Sequence, residues 1–148
     1  MQNNTFSTHA HWLLRIALAS VFVFHGALKL SNLAGFAEML PISYTETVLV
    51  ALAEFGGGIL VLLGGIGRSR VFDAATRIGA ALQVPIMIGA IALVHWGRWN
   101  FVPTPDFPMG GMQFQATLIL VSLYLVVTGN GGTLRSTVPV GRAAAIGA

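Results

Sequence analysis

The 148-residue chain has no cysteine, which excludes disulfides, thiolate metal sites, iron–sulfur ligation and dithiol exchange by its own side chains. Charge is almost as scarce. Eight basic and five acidic residues amount to 9% of the sequence, against roughly 25% in soluble globular domains, and so few charges cannot cover a soluble surface. With 55% hydrophobic residues and a mean hydropathy of +0.76, the chain belongs in a lipid bilayer. The net charge of +3 would suit nucleic acid only if it were concentrated, and the basic residues are scattered among apolar runs without forming a patch. Nucleic acid is therefore excluded as a partner. The length fits one domain of about 150 residues.

A hydrocarbon core about 30 Å thick needs roughly 20 apolar residues in a helix, because lipid offers backbone groups no other partners. Four stretches meet this requirement, at about 12–30, 46–66, 74–96 and 111–129, and predict an all-α bundle of four transmembrane helices in one domain covering 1–148. Thr45 before Glu46 is the expected N-cap of the second span, and Asp73 that of the third. Pro85 predicts a kink in the third. A cleaved secretory segment fits the first span poorly, since His25 and Lys29 come late in the run and no small-x-small site follows clearly. The tail from Leu134 onward, rich in alanine, glycine and small polar residues, is expected to be a mobile end.

Basic residues set the expected orientation. Arg15, Arg68, Arg70, Arg77, Arg135 and Arg142 fall at one side of the four spans, and Lys29 and Arg98 at the other, which predicts both termini in the cytoplasm of a bacterial inner membrane. On the outer side, Leu33 to Leu40 is long enough for a short interfacial helix between the first two spans. The second outer loop, Gly97 to Gly110, sets Pro103, Pro105 and Pro108 beside Trp96, Trp99 and Phe101. It reads as an interfacial anchor, with a lid over a ligand cleft as the sharper alternative.

Polar groups within apolar spans carry most of the functional signal, because a charge near the bilayer centre costs about 2.5–3.5 kcal/mol on insertion scales. Arg15, Leu18, Phe22, His25 and Lys29 follow steps of three and four along one helix face. Glu54 is the charge of the antiparallel second span away from its ends, and residue counting places it level with His25. Glu54 and His25 are therefore the natural pair, and a contact from Glu54 to His25 or Lys29 is expected. It would serve either to fix helix packing or as a proton relay or polar-ligand site. Gly56, Gly57, Gly58, Gly64, Gly65 and Gly67 predict close helix approach. Arg77 is expected to snorkel near the cytoplasmic end, with Gln83 about two turns deeper. His95 lies about 12 Å nearer the outer surface than His25 at the helical rise, so a shared haem or a two-histidine metal site is not expected; a quinone headgroup or a partner loop is within its reach.

The runs Arg15-Ile16-Ala17 and Phe22-Val23-Phe24-His25-Gly26-Ala27-Leu28-Lys29-Leu30 resemble the opening helix of the DoxX family of small four-helix membrane proteins. Glu54 with its glycine cluster is similar to the family's second helix, Arg77 to its third, and Gly110-Gly111-Met112-Gln113-Phe114 through Thr128-Gly129-Asn130-Gly131 to its fourth. The resemblance covers roughly 10–135. Where family members often carry a glutamate after the paired glycines of the last helix, this chain has Gln113, and its tail lacks the family's acidic ending.

This resemblance implies a helical bundle whose relatives are linked to thiosulfate:quinone oxidoreductase, to membrane complexes that manage oxidative stress and to operons for metal-handling peptides. The matching site positions are Arg15, His25, Lys29, Glu54 and Arg77, with His95 as a weaker addition. The expectation is a small inner-membrane subunit, not a complete enzyme alone, associated with a membrane or periplasmic redox partner and contacting quinone, with no covalent cofactor and no metal. A noncatalytic anchor or assembly factor, a small proton-coupled transporter and a homo-oligomer are the alternatives.

Overall fold

The computed structural model describes residues 9–131; the tail expected from Leu134 to Ala148 lies outside them. The elements are α1 (His11–Ser31), α2 (Leu33–Met39), α3 (Tyr44–Ile66), α4 (Arg70–Ala90) and α5 (Gln113–Thr128), with α4 continued by a π-helical turn at Ile91–His95. Among the described residues there is no strand, only an isolated bridge between Thr104 and Phe107. The all-α membrane bundle read from composition is the observed fold, and the short helix expected between the first two spans is α2.

Among the described residues three helices, His11–Ser31, Tyr44–Ile66 and Arg70–His95, are long and apolar enough to cross a membrane. The last, at 26 residues, extends to about 39 Å at the helical rise, longer than the hydrocarbon core, so it must tilt or project beyond it. Helix α5 is shorter than expected, with 16 residues. Its predicted first turn, at Gly111 and Met112, is instead paired with the preceding loop: the backbone N–H groups of Gly111, Met112 and Gln113 donate to the carbonyls of Asn100, Arg98 and Trp99. The loop thus satisfies helix-start donors that would otherwise face an apolar surround. Gly110 adopts φ +73°, and a β-carbon there would collide with the Phe101 carbonyl oxygen, a conformation and a closeness suited to glycine.

Helix starts also differ from the sequence expectation. Ser43, not Thr45, caps α3: its hydroxyl accepts from the Glu46 N–H while Glu46 accepts from the Ser43 N–H, a reciprocal capping box. Ser69 precedes α4, and Asp73 sits one turn inside it, where its carboxylate accepts from Arg77 of the same helix and from the Asn130 N–H beyond α5 instead of capping the helix. Helix α4 passes through Pro85 without ending. Its departure from α geometry comes at Ile91–His95, where the wider turn changes the direction of the side chains beyond it.

Lipid provides no hydrophobic force between helices, so close packing has to hold them together. The core is a cluster of Leu18, Phe22, Val61, Ala80, Met87, Leu118 and Leu125, while Leu13, Phe24, Leu52, Leu63, Leu120 and Val127 are exposed on the outside of the bundle. The α1–α3 contact turns on Gly26 against the Phe55 backbone and Gly58 against Val23; α3 meets α4 through Gly57 and Gly79, each facing the other's carbonyl. Of the glycines expected to allow close helix approach, Gly57, Gly58, Gly64, Gly65 and Gly67 do so, Gly56 does not, and Gly26 and Gly79 join them.

A β-carbon at Gly26 would lie 2.5 Å from the Phe55 backbone nitrogen, whereas one at Gly56 meets nothing within 4 Å. Gly26→Ala is therefore expected to destabilise the fold by about 1–3 kcal/mol, and Gly56→Ala to be neutral or stabilising by up to about 1 kcal/mol. Thermal unfolding of the two variants in detergent checks this contrast.

Candidate functional site

The polar residues expected as one cluster occupy opposite ends of the bundle. At the α1 N-terminal end, Arg15 is 1% exposed and its guanidinium is saturated. Nη1 donates to the Val61 carbonyl at 2.8 Å and the Thr76 hydroxyl at 2.7 Å. Nη2 donates to Asn130 Oδ1 at 2.6 Å and the Gly129 carbonyl at 3.5 Å, and Nε to His11 Nδ1 at 3.0 Å. All five N–H groups of the fork are thereby used. Gly65 makes room for the arginine stem, which would be 2.9 Å from a β-carbon there.

Asn130 completes this knot. Its amide nitrogen donates to the carbonyls of Gly64 and Gly67, its Oδ1 also accepts from Thr76, and its backbone N–H donates to Asp73 Oδ1. Asp73 in turn pairs with Arg77 at 2.8 Å, and Arg77 Nη1 donates to the carbonyls of Val126 and Val127. Arg15 and Arg77 are thus committed to joining α1, α3, α4 and the end of α5. Such a saturated network rigidifies the fold and leaves no donor on Arg15 for a ligand.

At the other end, Lys29 Nζ lies 2.6 Å from Glu54 Oε2, with side chains only 11% and 4% exposed. Residue counting had placed Glu54 level with His25, one turn from Lys29. The partner is Lys29 because Cα–Cβ bonds lean toward a helix's own N-terminus. On antiparallel α1 and α3 the two side chains therefore lean toward each other and close the offset of about 6 Å. Among the described residues no hydrogen bond joins His25 to Glu54; His25 is exposed on α1, with its ring edge-on to Phe24.

Lys29, Glu54 and His25 face a cavity of about 520 Å³. Its remaining wall is largely apolar: Phe22 and Val21 of α1, Pro85, Ile86 and Met87 of α4, Leu118 of α5, and a roof of Phe36, Met39 and Ile42 from α2 and the segment after it. Lys29 Nζ also stands 5.8 Å from the centre of the Phe36 ring. A second polar pole comes from His95 and Gln115. The π-helical turn brings His95 to 8% exposure, its Nδ1 3.1 Å from the Gly110 carbonyl and its Nε2 2.9 Å from Gln115 Nε2. Met109 of the outer loop also lines the space, so that loop borders the cavity while its Trp96, Trp99 and Phe101 remain exposed.

Sequence reasoning did not single out Asn130 or Gln115 as site residues. Asn130 entered only within the family-like run Thr128-Gly129-Asn130-Gly131 that follows the last span. Gln115 on the last span could, by sequence, join the polar cluster or face elsewhere, and the contact with His95 decides between the two. Gln83, fully buried, donates to the carbonyls of Ala53 and Glu54 and so holds the backbone that carries the Glu54 carboxylate.

The sequence model of the DoxX family matches residues 10–96, which include Arg15, His25, Lys29, Glu54, Arg77 and His95. Over 121 residues the chain is 30% identical to the Bacillus subtilis (strain 168) protein named "Putative oxidoreductase CatD", covering 80% of this chain and 78% of that one. No solved structure matches it.

Removing one member of the buried ion pair leaves the other charge unpaired, at a cost of about 3–5 kcal/mol, whereas an apolar pair of similar volume is often tolerated. Lys29→Met and Glu54→Leu are each expected to destabilise by that amount, and the double variant to recover most of the loss. A double-mutant cycle on unfolding in detergent micelles measures the coupling; additive losses would contradict the pairing.

Proposed function

The chain belongs to the DoxX family, and from that premise we propose that it is a small membrane subunit of a quinone-linked redox system, whose cavity receives the quinone headgroup beside Lys29 and Glu54. It is an integral membrane protein. The proposed setting is the bacterial inner membrane, with both termini and the Arg15–Arg77 end on the cytoplasmic side.

One observation carries this reading: an apolar cavity of about 520 Å³ contains a buried Lys29–Glu54 pair and the polar side chains His25, His95 and Gln115. Ligand sites are mostly apolar, fall within roughly 300–1,000 Å³ and use a few placed polar groups for orientation. A quinone ring has the matching character, with flat apolar faces and carbonyls at opposite edges. The ammonium of Lys29 has three N–H groups and one is engaged by Glu54, which leaves donors for a carbonyl. His25 on α1 and Phe114 on α5 both line the cavity and are exposed. They mark a side toward lipid through which a hydrocarbon tail would leave.

The chain has no thiol to carry electrons, so this reading assigns the electron donor to a partner protein. The exposed Trp96, Trp99 and Phe101 of the outer loop offer that partner a surface. The same loop favours a second reading, a noncatalytic anchor that holds the partner, in which the Lys29–Glu54 pair serves packing alone. The oxidoreductase name belongs to the Bacillus relative and supports the redox reading without fixing its donor.

The test is gentle purification from the native membrane, followed by quantification of extracted quinone and bound partners. The proposal predicts co-purifying quinone, and a fall of about tenfold or more in Glu54→Gln, equivalent to at least about 1.4 kcal/mol. A partner retained with no quinone in either sample would support the anchor instead.

A further inference from the structure

The Arg15 knot contains one acceptor that a proton can remove. Nε of Arg15 lies 3.0 Å from His11 Nδ1, and a guanidinium N–H can only donate. Nδ1 therefore holds the lone pair, Nε2 carries the ring hydrogen and the imidazole is neutral. The other N–H groups of Arg15 go to the Val61 and Gly129 carbonyls, the Thr76 hydroxyl and Asn130 Oδ1, none of which titrates. Arg15 is buried, while His11, one turn earlier at the start of α1, is only partly covered, with its ring 5.6 Å from that of Trp12. The acceptor of Nε is thus the titratable one of the set, and it is open to protons from water.

The charges around His11 are mostly cationic. On its own helix it faces the Arg15 guanidinium, and His9 precedes it. Helix α3 has no titratable side chain from Val61 to Ile66, and Arg68 and Arg70 beyond that stretch are exposed cations. From α4 come Arg77 and Asp73, whose carboxylate accepts from Arg77 and from the Asn130 N–H. The end of α5 contributes Thr128, Gly129 and Asn130, which carry no charge.

We propose that His11 makes the clamp at this end of the bundle proton-sensitive: a proton on Nδ1 takes away the acceptor of Arg15 Nε and releases the start of α1 from the knot. A protonated ring has a hydrogen on each nitrogen, so the two groups would meet donor to donor and cation to cation, and the ring has to turn away. Nε is then left without an acceptor inside the bundle, where lipid supplies none. The remaining bonds still join Arg15 to α3, α4 and the end of α5, so what loosens is the first turn of α1 rather than the whole bundle. Near pH 6.5 an unfolded chain takes up about half a proton on this histidine, whereas the folded chain does so only by giving up the Arg15 bond. Stability is therefore full above that range and falls as pH drops through it.

The experiment is reversible unfolding of the full chain in mixed detergent micelles at about pH 8 and about pH 5.5, which bracket the histidine range, for the unaltered protein, His11→Asn and His11→Leu. Asparagine carries Oδ1 on Cγ, where histidine carries Nδ1, and so keeps an acceptor that does not titrate. His9, His25 and His95 are present in all three proteins, so the comparison isolates His11. On acidification the folded-to-unfolded ratio is expected to fall about fivefold to tenfold further in the unaltered protein than in His11→Asn. His11→Leu is expected to unfold more readily than His11→Asn at the higher pH, and to share its weaker pH dependence. An equal fall in the unaltered protein and His11→Asn would overturn the proposal, and so would a rise in stability of the unaltered protein on acidification. His11→Leu as stable as the unaltered protein at the higher pH would overturn it as well, since the bond would then contribute nothing to the clamp.

Discussion

The bundle depends on satisfying one guanidinium. Arg15 is buried among helices in a chain with little other charge, and each of its five N–H groups must find an acceptor because lipid supplies none. The acceptors come from His11, Val61, Thr76, Gly129 and Asn130, so forming the network fixes α1, α3, α4 and the end of α5 relative to one another. Asn130 extends it to Gly64, Gly67 and Asp73, and Asp73 to Arg77. Hydrogen bonds thus clamp this end of the molecule, and the glycine contacts of α3 with α1 and α4 carry the alignment onward.

With one end clamped, the other can remain open. Beyond Phe22 and Met87 the helices no longer close on a filled core but surround a cavity, roofed by α2 and bordered by the outer loop. Small structural departures set its character. The opposed lean of side chains on antiparallel helices brings Lys29 to Glu54, the π-helical turn brings His95 inward, and the loop carbonyls that receive the first donors of α5 place Gln115 beside it. A buried ion pair is not in itself evidence of added stability, since desolvation offsets its attraction. Its position on the wall of a ligand-sized space is what motivates the proposed headgroup site.

The membrane class, the positions of the three long helices and the packing role of Gly57, Gly58, Gly64, Gly65 and Gly67 were legible because they follow from local quantities: hydropathy, helix length and residue size; the fourth helix is shorter than its apolar run, and Gly56 packs against nothing. The alignment of Arg15, His25 and Lys29 on one stripe was also legible, and the buried partners of Arg15 and Lys29 agree with it. Residue counting could not show that the stripe serves two separate sites, because depth along a helix does not include the lean of the side chain; that omission favoured His25 over Lys29 as the partner of Glu54. The cap at Ser43 was missed in favour of Thr45, although Ser43 and Glu46 have the three-residue spacing of a capping box. Asn130 was illegible, and Gln115 stayed undecided between the polar cluster and another face, for a different reason. Their roles are set by atoms from other helices, and nothing in their own neighbourhood of sequence records those contacts.

The most direct measurement of the central claim, that this cavity holds a quinone headgroup, is photolabelling of the membrane-embedded chain with an azido-ubiquinone, followed by peptide mapping. The account predicts labels on the α1 segment containing His25 and Lys29 and on the segment from Met109 to Leu118, both suppressed by excess unlabelled quinone. Labelling spread over lipid-facing positions such as Leu120 and Val127, unchanged by competitor, would contradict it.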